Sequence, residues 1–257
     1  LTDIDRRSAT LLALMAPFAS VWSRSTQPPS TKPIAQGQHD MSMAPPSWTR
    51  HDQIALLVYP KMTALDLIGP QYMFASLLGA TVHLVGKSID PVTSDTGVTI
   101  TPTTTFDGCP KNLTVLFTPG GTAGTLAAMQ DAQTCDFMAD RGSRATYVTS
   151  VCTGSLILGA AGLLKGYKAT SHWAARNVLS EFGAIPIDAR VVRDRNRITG
   201  AGVTAGLDFG LTMVAELRDP NYAENVQLLC EYDPHPPYTA GSLHTAPPEV
   251  QATMTSM

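Results

Sequence analysis

From Ile54 onward, short unbroken apolar runs alternate with stretches whose apolar residues recur at helical spacing. That alternation predicts a layered α/β fold with a largely parallel central sheet flanked by helices. Ile54-Ala55-Leu56-Leu57-Val58-Tyr59, ended by Pro60, has the composition of a strand covered on both faces. Thr81 to Val85, Leu113 to Thr118 and Tyr147 to Val151 are predicted to be further strands, and the β-branched stretch Val98 to Thr105 an antiparallel excursion. Pro70 suits the first turn of a helix running through Met73, Phe74 and Leu77. A very apolar helix is predicted from Leu156 to Leu164, and closing helices over Thr204 to Leu217 and Tyr222 to Tyr232. Arg190 to Arg193 and Ile198-Thr199 flank the turn-like Asp194-Arg195-Asn196, which predicts a β-hairpin. After Asp233 the chain is proline-rich and is expected to form an ordered but irregular tail that wraps the domain.

The first fifty residues follow a different pattern. Arg6-Arg7 precedes the short apolar stretch Ala9 to Ala19, which ends in small residues. Two readings stand: an export signal of twin-arginine type leading to the periplasm, or an amphipathic or disordered tail on a cytoplasmic protein. Ala9-Thr10 departs from the Phe-Leu usual in that motif. Gln27 to Arg50 is rich in Pro, Ser, Thr and Gln and reads as a linker, so residues 1–51 are set apart from a single domain over 52–257.

Composition narrows the classes of function. The 257 residues are 44% hydrophobic and 15% charged, with a net charge of −3 and no basic stripe, so nucleic acid is not an expected partner. No apolar run approaches the roughly 20 residues of a membrane span. The four cysteines, Cys109, Cys135, Cys152 and Cys230, lie far apart, and no two histidines show metal-ligand spacing. A metal site is not expected.

The candidate chemistry gathers at Cys152. A buried strand followed directly by Cys152-Thr153-Gly154-Ser155 and a helix is the cysteine counterpart of a strand-to-helix nucleophile elbow. Backbone N–H groups at such a helix start stabilise a thiolate. A small buried cysteine is the plain alternative. Pro119-Gly120-Gly121 ends the preceding strand, at the sheet edge where α/β proteins bind ligands. Its unobstructed N–H groups suit a developing negative charge, or it is merely a turn. Asp66, between apolar neighbours after the first strand, is either a helix cap or a carboxyl able to carry protons beside Cys152. His172 and His83 read as packing or hydrogen-bonding residues.

Leu65-Asp66-Leu67-Ile68-Gly69-Pro70, Pro119-Gly120-Gly121-Thr122 and Tyr147 to Ser155, with Ala169 to Trp173, Arg190 to Asp194 and Gly202 to Gly206, resemble the isocyanide (isonitrile) hydratases of the ThiJ/PfpI superfamily. The likeness runs from Ile54 to Pro248. It implies a flavodoxin-like sandwich and hydration of R–N≡C to the N-substituted formamide, without a cofactor. It further implies Cys152 as nucleophile, Asp66 as general acid and base, and Thr153 as a group positioning substrate or water. Gly120, Gly121, Gly154 and Val203 would border the substrate, in a homodimer with its site near the interface. Thr153 stands where protease-like relatives carry His, and Asp66 where the glyoxalase type carries Glu. Two other readings remain: a redox-sensing or protective cysteine protein, and a glyoxalase or small-amide hydrolase.

Overall fold

The computed structural model describes residues 45–256. In chain order the elements are β1 (Gln53–Leu57), α1 (Ala64–Ala75), β2 (Thr81–Gly86), β3 (Val92–Thr93), β4 (Thr99–Ile100), β5 (Thr104–Thr105), β6 (Val115–Thr118), α2 (Thr122–Gln130), α3 (Ala132–Gly142), β7 (Tyr147–Val151), α4 (Gly154–Ala160), β8 (Lys168–Ala169), β9 (Ile185–Pro186), β10 (Val191–Asp194), β11 (Arg197–Gly200), α5 (Ala205–Leu217), α6 (Pro220–Leu229) and α7 (Pro248–Ser256). The main sheet runs β5-β2-β1-β6-β7-β11-β10. Its pairs are all parallel except β10 with β11. This is the expected flavodoxin-like layout of a mostly parallel sheet between helices.

The central strands are apolar because both of their faces are covered. Ile54, Ala55, Leu56, Val115, Leu116, Phe117 and Val148 have no exposed surface. Helices α1, α5 and α6 pack on one another on one face, and α2, α3 and α4 on the other. Phe117 on β6 meets Phe74 of α1 and Phe209 of α5, with ring centroids 6.2 and 5.5 Å away. The chain leaves β1 toward β2 and later returns to place β6 on its other side, which makes the carboxyl ends of β1 and β6 a topological switch point.

Several elements differ from expectation for identifiable reasons. Helix α1 begins six residues before Pro70, which lies inside it. An internal proline removes one helical hydrogen bond. Here its ring is buried against α5, where a Cβ at Gly206 would stand 3.2 Å from it, and that packing offsets the loss. Asp66 is therefore in the first turn of a helix and not in a loop. Helix α4 stops at Ala160, because Gly162 turns to φ +74° and Leu163-Leu164 enter the core from a turn. The 98–105 stretch divides: β4 pairs antiparallel with β3, and β5 joins the main sheet parallel to β2. The tail ends in a helix, α7, instead of remaining irregular.

A 3-10 turn over Pro46–Trp48 is docked on the domain, inside the segment expected to be linker. The Trp48 indole N–H donates to Asp219 at 2.7 Å. The fully buried Arg218 side chain pairs with Asp52 at 2.6 Å and donates to the Trp48 carbonyl. The leader-like residues 6–19 and most of the linker lie outside the described residues.

Candidate active site

Strand β7 ends at Val151, and the next residue, Cys152, adopts φ +54°. A non-glycine residue there is strained by roughly 1–3 kcal/mol and persists only where its surroundings hold it. They hold it from both sides. The Cys152 N–H donates to the carbonyls of Gly200 (3.1 Å) and Ala201 (2.9 Å). Its carbonyl accepts from the buried hydroxyls of Ser155 (3.2 Å) and Ser171 (3.0 Å). The elbow turns without a glycine at its apex, and α4 starts two residues on. Gly154 is needed there, since a Cβ would stand 2.4 Å from the Thr118 carbonyl oxygen.

The tertiary fold brings Asp66 from the end of β1 to Cys152 at the end of β7, across the end of β6. One carboxylate oxygen, Oδ2, accepts the Gly120 N–H at 3.0 Å. The other, Oδ1, is buried with no hydrogen-bond partner among the described residues. Burial raises the Asp66 pKa to about 6, against the lowering effect of hydrogen bonds from Cys152 and Gly120. Nearby Asp95 pushes in the same direction as burial.

Burial and the Asp66 charge push the Cys152 thiol up to about 12, although the Val203 and Thr153 N–H groups pull the other way. Burial thus opposes the thiolate that the backbone N–H groups favour. Cys152 is only 5% exposed, and α4 is too short at seven residues for its dipole to outweigh desolvation and an adjacent carboxylate.

The expected site residues come together, but several act differently from expectation. The Gly120 and Gly121 N–H groups are not open to substrate: the first is bound to Asp66 and the second to Thr153 Oγ1, at 3.0 and 2.9 Å. Thr153 Oγ1 also meets the Gly121 carbonyl (3.0 Å) and Thr125 Oγ1 (2.9 Å), so its hydroxyl is committed to the turn. Gly120 presses so closely on the elbow that a Cβ would lie 2.6 Å from the Thr153 nitrogen. Val203 approaches the nucleophile through its backbone N–H. His172 packs its ring against Gly202, and burial lowers its pKa. His83 bonds Gln53 at 2.8 Å. Both are packing and hydrogen-bonding residues, as read from the sequence.

Ser155, Ser171, Tyr59 and Thr125 were not legible as site residues. Nothing in an isolated serine or in a tyrosine closing an apolar run signals a tertiary hydrogen bond. Among the described residues no three His, Cys, Asp or Glu side chains assemble as a metal site requires.

A model of the DJ-1/PfpI family matches residues 52–216. The chain belongs to the DJ-1/PfpI family. Within that family it is 53% identical over 198 residues to the isonitrile hydratase of Pseudomonas putida, covering 77% of this chain and 86% of that protein. A ThiJ/PfpI family protein from Pseudomonas syringae, solved by crystallography, is 65% identical, with a TM-score of 0.82 and coverage of 88% of this chain and 94% of that one. Drosophila melanogaster DJ-1beta, at 20% identity and a TM-score of 0.65 over 72% of this chain and all of that one, shares the fold. No described helix of this DJ-1/PfpI chain is long and apolar enough to cross a membrane.

Proposed function

We propose that the protein hydrates isocyanides to N-substituted formamides, with Cys152 as nucleophile and Asp66 as the proton carrier. The pairing of a buried carboxylate with the elbow thiol carries this reading, in a chain 53% identical to an isonitrile hydratase.

Asp66 takes the thiol proton as sulfur bonds to the terminal isocyanide carbon. It then delivers that proton to the same carbon, giving the thioimidate R–N=CH–S–Cys152. Water adds to this carbon while Asp66 accepts one of its protons and passes it to nitrogen. The remaining hydroxyl proton returns through Asp66 to sulfur as the C–S bond breaks, releasing R–NH–CHO and the thiol. Every proton has one carrier, so no histidine is needed. The Val203 and Thr153 N–H groups stabilise sulfur as it leaves. Gly120, Gly121 and Gly154 contribute by shaping the wall of the site rather than by donating to substrate, and Thr153 Oγ1 by fixing the turn.

A Cys152 side chain only 5% exposed favours this reading over a redox sensor, which requires an accessible thiol. We also propose a homodimer: Leu65, Ile68 and Tyr72, each 44–45% exposed, form an apolar stripe along α1, the helix that carries Asp66. The division into a leader over 1–51 and a catalytic domain over 52–257, with export of the folded chain, belongs to the same proposal.

The decisive experiment follows conversion of an aryl isocyanide to its formamide by wild type and Cys152→Ala. Turnover that vanishes in the variant is expected. A folded wild type without turnover would overturn the reading.

A further inference from the structure

Tyr59 follows the first strand and is buried, 5% exposed, with no part in the steps above. Its hydroxyl lies 2.8 Å from the Pro119 carbonyl oxygen and 3.1 Å from Thr125 Oγ1. Thr125, 1% exposed on α2, reaches Thr153 Oγ1 at 2.9 Å. Thr153 Oγ1 in turn accepts the Gly121 N–H at 2.9 Å and faces the Gly121 carbonyl at 3.0 Å. A continuous line of hydroxyls thus grips the Pro119–Gly121 turn at both ends, and the middle residue of that turn donates to Asp66 Oδ2.

The hydroxyl protons of Tyr59, Thr125 and Thr153 must serve contacts to Pro119 O, between Tyr59 and Thr125, between Thr125 and Thr153, and to Gly121 O. There is one contact more than there are protons. Removing the Tyr59 hydroxyl leaves the Pro119 carbonyl with only the longer contact from Thr118 Oγ1, at 3.3 Å, and removing that of Thr125 breaks the link that holds the Tyr59 and Thr153 hydroxyls in place against the turn.

We propose that Tyr59 and Thr125 are positioning residues for the Asp66 carboxyl, acting through Thr153 and the Pro119–Gly121 turn. They touch neither Cys152 Sγ nor the reacting atoms. Their effect is to aim the Gly120 N–H at Asp66, the backbone donor that favours its ionised form. The other groups acting on this carboxyl are the Cys152 thiol from the elbow and Asp95 from the loop after β3. Asp95 is itself held by the Thr63 hydroxyl at 2.6 Å. Neither belongs to the hydroxyl line, so the turn can be altered without removing them.

The inference concerns the Asp66 carboxyl itself and rests on the hydratase reading only for its consequence on rate. Its test is a pH titration of the Asp66 side-chain carboxyl by ¹³C NMR in wild type, Tyr59→Phe, Thr125→Val and Thr125→Ser, with thermal melts to verify folding. Loss of the Gly120 hydrogen bond is expected to raise the titration midpoint by about one pH unit in the Phe and Val variants. Thr125→Ser, which keeps the hydroxyl, should restore it. A midpoint unchanged in folded Tyr59→Phe and Thr125→Val, with only the melting temperature lowered, would overturn the proposal and leave the line a packing feature. The titration reads out whether or not any isocyanide is turned over.

Discussion

Asp66 shows how one buried carboxyl couples stability to chemistry. Its pKa rises from 3.8 to about 6, chiefly through burial, so the folded state binds the proton more tightly than the unfolded chain. The stabilisation is therefore complete below the unfolded pKa and is lost as pH rises through 6. Its size is on the order of 3 kcal/mol. Asp66→Asn cannot ionise, so it should melt above wild type at pH 7, the gap closing below pH 4. The same substitution removes the proton acceptor and should lower kcat/KM at least a hundredfold. In wild type, kcat/KM should fall on the acid side of an apparent pKa near 6, where the carboxyl becomes protonated. A pH-rate profile and melts of the two proteins across this range check both signs.

Among the elements, the β7–α4 elbow carries the strained backbone of Cys152, and its tolerance for added atoms is small. A Cβ at Gly154 would meet backbone oxygens of Thr118 and Pro119 at 2.4 and 2.6 Å, and backbone cannot swing aside as a side chain can. Gly154→Ala should therefore cost about 1–3 kcal/mol in urea unfolding and reduce turnover by displacing Cys152. Gly241→Ala, where nothing lies within 4 Å, should change stability by less than about 0.5 kcal/mol. Equal effects from the two would refute the account of close packing. Helix α1 makes a complementary point. Pro70 signalled a helix start, yet the helix runs through it, because burial against α5 outweighs one missing hydrogen bond.

On the scale of the whole molecule, the exposed stripe of α1 bears on how copies of the chain assemble. Leu65, Ile68 and Tyr72 recur at i, i+3 and i+7, the spacing of a helix face that packs on a partner. A second copy of this chain is the proposed partner. Sedimentation should give a dimer for wild type and a monomer for Ile68→Asp, since a buried unpaired carboxylate would oppose association. A wild type that sediments as a monomer at micromolar concentration would reject the dimer.

What the sequence determined by itself was what local pattern can carry. Apolar runs such as Ile54–Tyr59 and Leu113–Thr118 announced strands covered on both sides, and Tyr147–Ser155 announced a strand, a turn and a cysteine in that order. The pattern also ordered the motifs along the chain, and through their resemblance the family and the reaction. It was silent wherever the deciding atoms are distant in sequence. The charge state of Cys152 depends on Asp66, which only the placing of β6 between β1 and β7 brings to it. The glycine N–H groups looked free until the fold bound them to Asp66 and Thr153. A lone tyrosine or serine carries no periodicity, so Tyr59 and Ser171 gained their partners in the site through tertiary structure alone. Local sequence sets where the backbone turns; desolvation and hydrogen bonding across the sheet edge decide what the side chains meeting there can do.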